Sequence, residues 1–511
     1  MAKVQTIVFL SLVLDLFAFT IPLPLFPRII EWYTKREASD PTGFLSQTLH
    51  FVQYLRSFVY DSPVHSERWD VVLLGGLMGS VFSTLQFIVS PSIGSLSDKY
   101  GRKKVLLITM IGNIASAVIW IQSTTFASYM LSRVVGGLSE GNVQLAIAIL
   151  SDVSTPAQRS STLAYVGIAF AICFCIGPPI GAYFASASFP HNFSSIELNI
   201  YAVPAALTLV LLLAETAFIY VALPETRGKG LAVETPAGKG KAAAGKSTIA
   251  TPTRPKTTVE HRLSTLARLR RQHFLFLCLF SGVEFTLTFL TFDLFDWTNA
   301  QNGALIGSIG ILSALLQGGY VRRAMPKTGE GKMARRGVHA CALALVLLAL
   351  LPNYPPETAT KLLRGAAVCL AFTSATVVNA LTAAASLQCD EGGASEGDAV
   401  TGKPITEEHP DLAKGKALGR FRSRGQLGRA IGPLLGEWAW FFFCFTGIVA
   451  VVVCFLLCRP FADFGTHSLR DVLDLRADAD IQRVCCGDVR TGDWHAGGVE
   501  TRIVRGSRHL P

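Results

Sequence analysis

The sequence predicts an all-α membrane protein of twelve transmembrane helices in two pseudo-symmetric six-helix bundles, and three observations predict it. Apolar residues gather into runs at 5–28, 71–95, 104–122, 127–151, 162–184, 201–223, 273–292, 303–321, 337–353, 362–387, 417–436 and 440–458, most of them near the length, about 20 residues, that crosses a bilayer as a helix. Charge is sparse: 16% of the 511 residues are Asp, Glu, Lys or Arg and half are hydrophobic, where a soluble protein carries about 25% charged. Gly177-Pro178-Pro179-Ile180-Gly181 in the fifth run returns in kind as Gly432-Pro433-Leu434-Leu435-Gly436 in the eleventh. That recurrence, six helices later, is what two homologous halves would produce.

The runs divide the chain into a first bundle at 1–223, a basic cytoplasmic linker at 224–272, a second bundle at 273–458 and a tail at 459–511. Lys3 ahead of an apolar stretch is compatible with a secretory leader. The run continues past Asp15 to Pro27 without a small-residue cleavage site, so it reads as a retained first helix. Between the second and third runs stands Gly94-Ser95-Leu96-Ser97-Asp98-Lys99-Tyr100-Gly101-Arg102-Lys103-Lys104. Gly94, with no side chain, allows a neighbouring helix to approach; Asp98 can accept from a helix N-terminus; Gly101 supplies a turn dihedral; the cations pin the turn to the cytoplasmic side.

This G-x-L-x-D-x-x-G-R-K pattern resembles the signature of the major facilitator superfamily. The resemblance implies two six-helix bundles, a substrate cavity between them near the bilayer midplane, and alternating access by relative tilting. A degenerate second copy, Gly318-Gly319-Tyr320-Val321-Arg322-Arg323, lacks the aspartate.

Lys and Arg set the orientation. They crowd 98–104 and 322–336, so both segments and both termini are expected in the cytoplasm. The segment 224–272 carries eleven Lys and Arg against Glu225, Glu234 and Glu260. That accounts for most of the net +10 charge without nucleic acid; it reads as a solvated linker, with contact to anionic lipid as the alternative. Residues 31–70 and 186–200 then face outward, and the sequon at Asn192 agrees with that side. Cys173, Cys175, Cys278, Cys341, Cys369, Cys444 and Cys454 fall inside runs and read as small packing residues, not bridges. No metal-ligand spacing, phosphate-binding loop or nucleophile elbow occurs, which disfavours enzymatic or ATP-driven function and any resident cofactor.

Coupling chemistry falls to ionisable groups inside the runs, where charge is costly and functional by default. These are Asp15, Arg133, Glu215 and Glu284 in the first, fourth, sixth and seventh helices. Each carboxylate is a candidate for exchanging a proton against a cationic or polar ligand. Arg133 is followed by Gly137 and Gly141 at four-residue intervals, similar to the fourth-helix element of proton-coupled antiporters in the superfamily. It is the leading relay candidate, with Asp15 or a water as partner; a purely structural ion pair is the other reading. Leu14-Asp15-Leu16 ahead of Pro22, Pro24 and Pro27 resembles the twelve-helix drug/proton antiporters, and Asp152 with Arg159 resembles their cytoplasmic gate or capping pair. Gly177, Pro178 and Gly181, with Gly432, Pro433 and Gly436, give each half a smooth and bendable helix face.

Gly75 to Gln86, Phe280 to Leu287 and Gln317 to Arg323 resemble the eukaryotic tetracycline transporter-like group. The expectation is a monomeric exporter of drug-like or organic-anion compounds, driven by the proton gradient and embedded in the lipid bilayer. A facilitated uniporter and a non-transporting receptor or scaffold of the same fold are the alternatives.

Overall fold

The computed structural model of the chain describes residues 2–22, 25–57, 66–156, 158–185, 198–227, 258–295, 297, 299–389 and 409–441. All regular structure among them is helical: α1 (Ala2–Thr20), α2 (Phe26–Arg36), α3 (Phe44–Ser57), α4 (Ser66–Tyr100), α5 (Arg102–Ile121), α6 (Phe126–Ser139), α7 (Asn142–Asp152), α8 (Arg159–Ala185), α9 (Ala202–Ala222), α10 (Val259–Phe295), α11 (Asn299–Leu315), α12 (Arg322–Thr328), α13 (Glu330–Leu350), α14 (Pro356–Gln388) and α15 (Lys414–Phe441). A π-helical turn, Leu316–Val321, joins α11 to α12.

Among the described residues, eight stretches are long and apolar enough to cross a membrane: Leu74–Tyr100, Arg102–Ile121, Phe126–Asp152, Arg159–Gly181, Ala202–Ala222, Gln301–Thr328, Glu330–Asn353 and Pro356–Gln388, with Val4–Thr20 as a shorter apolar helix. Helices α10 and α15 are as long, 37 and 28 residues, but carry arginine-rich first halves. The expected twelfth span lies beyond α15 and outside the described residues, as do the tail, Asn192 and most of the linker.

Four expected boundaries move. The first helix ends at Thr20 instead of 28, where Pro22 has no amide to continue the ladder, and Pro27 starts a separate α2, as suits a first-turn proline. Part of the expected outer loop 31–70 is the helices α2 and α3. Their apolar faces bury Ile29, Ile30, Tyr33, Leu45 and Val52 against Leu74, Trp120 and Phe126. Glu37, just past α2, accepts the Phe126 amide at 2.6 Å and caps α6. The fourth run is broken between α6 and α7, where Glu140 is extended (φ −70°, ψ 100°). Finally, the end of the expected linker is not loop: Arg262 to Arg271 are helical, in the first half of α10.

Two antiparallel seams join α1–α9 to α10–α15. Along α4 and α15, Ser80 donates to the Ala430 carbonyl and Ser423 to the Phe87 carbonyl, each at 2.7 Å. Further along, Gly94 meets Gly415 and Gly419 so closely that a methyl on Gly94 would strike the Gly415 carbonyl. The paired numbers rise on one helix as they fall on the other, so the register is constant over about 20 Å at 1.5 Å per residue. Small residues are what membrane helices use to approach in this way. The second seam sets Gly310 against Cys175, Gly318 against Ile168, and Arg322 on the Tyr165 hydroxyl at 2.8 Å.

The glycine-proline faces pack elsewhere. Gly177 and Gly181 of α8 lie on Thr20 and the Ile21 carbonyl, and Gly432 of α15 lies on Cys278, Ser281 and Gly282 of α10. Each motif therefore fastens a helix to one in its own half of the sequence. Pro178 and Pro433 sit inside their helices, and the surroundings of Gly436 lie outside what is described. Cys173, Cys175, Cys278, Cys341, Cys369 and Cys389 are free thiols.

Candidate functional site

At the end of the molecule where 98–104 turns, α4, α5 and α7 are tied to α14 and α15 by buried polar groups. Asp98, in the last turn of α4, accepts the amides of Gly415 and Lys416 at 2.9 and 2.7 Å. These belong to the first turn of α15, whose amides have no acceptor of their own. Arg102, 3% exposed, reaches Asp98 at 2.8 Å, Asp152 at 3.0 Å and the Ser97 hydroxyl at 2.6 Å. Lys414 stands 3.6 Å from Asp152. Glu225 caps α5 by accepting the amides of Arg102 and Lys103 at 2.8 and 3.2 Å. Gly101 (φ +105°) has this carboxylate against its α-carbon, so both dihedral and space exclude a side chain there. The Lys103 ammonium donates to the Tyr220 carbonyl at 2.8 Å.

Asp152 is thus held by Arg102 and Lys414, while Arg159 donates to the Ser154 hydroxyl at 2.7 Å and the Ser386 hydroxyl at 2.8 Å. Of the expected pair, Asp152 reaches Lys414 of α15 and Arg159 reaches Ser386 of α14. Ser151 and Ser386 also share a hydrogen bond at 2.7 Å.

Deeper in the molecule a second polar cluster surrounds the α6–α7 break. Asp15, buried in α1, accepts from the Asn142 amide group at 2.6 Å. Asn142 is the first residue of α7, so the carboxylate lies at that helix's positive end. Glu215 of α9, 1% exposed, accepts from the Ser11 hydroxyl at 2.8 Å, while its other oxygen has no hydrogen-bond partner among the described residues. Ser11, Asn142 and Glu215 line a cavity of about 10 Å³, room for about one water. Asn113 stands beside Glu140, and Asp15, Glu140 and Glu215 lie within electrostatic range of one another. Arg422 of α15 reaches both Glu140 and Asp15 electrostatically.

The structure therefore brings Asp15 and Glu215 together and leaves out Glu284, whose side chain is exposed on α10. Arg133 is half-buried, with its guanidinium 5.3 Å from the centre of the Phe82 ring and within range of Glu140. Gly137 and Gly141 on the same face lie on Leu85 and Ile93 of α4. The arginine within range of Asp15 is Arg422, not the expected Arg133. Sequence reasoning missed Glu140, Asn142 and Arg422. Glu140-Gly141 inside an apolar run was a readable signal of a break, whereas Arg422 sits among Arg420 and Arg424 and looks like any cytoplasmic helix end.

Residues 8–402 match the family model of the Major Facilitator Superfamily. The mouse protein "Major facilitator superfamily domain-containing protein 10" is 33% identical over 464 residues, covering 89% of this chain and 90% of that one. The crystal structure of the human organic anion transporter MFSD10 (TETRAN) is similar with a TM-score of 0.70 at 30% identity, covering 90% of this chain and 98% of that one. More distantly, the class H tetracycline resistance protein of Pasteurella multocida is 30% identical over 127 residues, 24% of this chain and 32% of that one. With the helical architecture and the Gly94 to Lys104 turn in place, these likenesses show that the chain is an integral, multi-pass member of the major facilitator superfamily.

Proposed function

We propose that the chain is a secondary active transporter of small organic compounds, working by alternating access and coupled to protons. The observation that carries this reading is Arg422 in common reach of Asp15 and Glu140, across the line between α1–α9 and α10–α15. Charges that bridge the halves in one arrangement must find new partners in the other, and a proton or a ligand can supply them. Two relatives, an organic anion transporter and a tetracycline resistance protein, support this substrate class.

The sign of the coupling follows the substrate's charge. A cationic or polar group that takes the carboxylates excludes protons and is exchanged for them, which is the antiport expected from the sequence. An organic anion pairs instead with Arg422, and protonation of Asp15 and Glu140 releases that arginine for it. Arg422 is the specific observation favouring this second, co-transport reading. With Lys and Arg at the 98–104 end, that end and both termini are assigned to the cytoplasm, and the transporter is assigned as a monomer with 1–223 and 273–458 as its moving halves.

The test is uptake of an organic anion into proteoliposomes under an imposed pH gradient. Gradient-driven flux, its direction reversing with the gradient and its gradient dependence lost in Asp15→Asn, supports the reading. Flux indifferent to the gradient makes the protein a uniporter, and no flux of any tested anion or tetracycline favours a receptor or scaffold.

A further inference from the structure

Helix α15 presents three faces. Gly425, Gly428 and Gly432 lie on α10, and Gly415, Gly419, Ser423 and Ala430 lie along α4. At 100° per residue, Arg422 falls between these two faces on the side of Glu140 and Asp15. Arg420 and Arg424 fall on the opposite side, away from the acid cluster. Arg424 is exposed and the Arg420 side chain is 37% exposed. Arg270 of α10 lies within electrostatic range of both. The carboxylate in reach, Asp411, is already engaged by Lys416 at 2.8 Å and Arg420 at 3.0 Å. Like charges one turn apart repel, so among the described residues four cations share a single carboxylate and leave an excess of positive charge on an outward face.

The position along the helices is informative. On this side of α10 and α15 the arginines stop at Arg271 and Arg424, and Phe274, Leu427 and Ile431 follow within one or two turns, each only half-buried. Cations directly above half-buried apolar side chains, on a face turned from the protein interior, match the boundary between headgroups and acyl chains.

We infer that Arg270, Arg420 and Arg424 form a binding site for the headgroup of an anionic phospholipid, with its chains lying along Phe274, Leu427 and Ile431. The site is independent of the transported substrate and of proton coupling. Its occupant bridges α10 and α15, next to the start of α15 that Asp98 caps.

The test equilibrates the purified full chain with an equal mixture of phosphatidylserine and phosphatidylcholine and reads the retained lipid by native mass spectrometry. Wild type retains phosphatidylserine preferentially. The double variant Arg270→Gln/Arg424→Gln weakens its retention about thirtyfold, about fivefold for each charge removed. Arg270→Lys/Arg424→Lys keeps most of the preference, which separates loss of the site from loss of the fold. Equal retention of the two lipids by wild type, or unchanged preference in the glutamine variant, overturns the site. Displacement of phosphatidylserine by inorganic phosphate overturns the lipid as occupant. So does a preference that appears only after the carboxylates of 390–408 are neutralised, because the chain's own acidic segment is then the occupant.

Discussion

Asp98 accepts the main-chain amide of Gly415 at 2.9 Å across 317 residues of sequence. The carboxylate that ends α4 is therefore the N-terminal cap of α15, and the seam between these helices is locked at one end by a capping interaction that would otherwise be local. A cap of this kind is worth about 0.5–2 kcal/mol, and here it is present only while the two helices are together. It acts on the equilibrium between closed and open arrangements of this end more than on either helix alone.

Asp98→Ala is accordingly expected to open the basic end. The ratio of closed to open molecules should fall by about two- to thirtyfold. Spin labels at Tyr100 and His409, both exposed, give the readout: a longer-distance population grows in the variant. A distribution identical to wild type would mean that the cap does not bias the transition.

Gly94→Ala tests the seam itself. The added methyl meets the Gly415 carbonyl, which belongs to backbone and cannot turn aside. Overpacking of this sort costs about 1–3 kcal/mol, and α4 and α15 should separate. Gly79→Ala on the same helix is the control, since nothing lies within 4 Å of its added carbon. Transport should fall in the first variant and persist in the second, with both proteins monodisperse by size-exclusion chromatography.

Gly94, Asp98 and Gly101 were legible in sequence because each has a local physical signature: no side chain at a helix face, a carboxylate at a helix end, a glycine in a tight turn. Their partners were not, because Gly415 and Lys416 are ordinary until the fold places them. The same holds inside the molecule. Asp15 and Glu215 stood out as charges in apolar runs, but Asn142, which joins Asp15 to the cavity beside Glu215, is one polar residue among many. Glu284 shows the opposite failure: position within a run says nothing about which side of the helix a residue occupies. The helices α2 and α3 were read as loop because their polar faces dilute the mean hydropathy that reveals spans. Their apolar stripe packs on the core of α4, α5 and α6 all the same.

Glu215→Gln should impair gradient-driven flux more than Glu284→Gln. Glutamine keeps the shape and can still accept from Ser11, but it cannot take up a proton beside the cavity that Ser11 and Asn142 line. Glu284 is exposed and stands apart from that cluster. Initial rates in proteoliposomes at several imposed gradients distinguish the two, and a greater loss in Glu284→Gln would move the coupling site onto α10.

Arg422 and Arg133 make opposite demands on experiment. Arg133 lies over the Phe82 ring at 5.3 Å, an arrangement worth about 0.5–2 kcal/mol of packing, so Arg133→Gln should lower the melting temperature by a few degrees and leave substrate affinity nearly intact. Arg422 comes from α15 to face carboxylates of α1 and of the α6–α7 break. A hydrogen bond to a charged group contributes about 1.5–3 kcal/mol. Arg422→Gln should therefore raise the apparent Kd for an organic anion about tenfold to a hundredfold while sparing a neutral analogue, and Arg422→Lys should recover part of the loss. Binding by isothermal titration across the pair of ligands separates charge recognition from damage to the fold, since damage would weaken both. If Arg133→Gln removes anion affinity and Arg422→Gln does not, the anion-recognising cation belongs to α6, and exchange between carboxylate and substrate at Arg422 is the wrong mechanism.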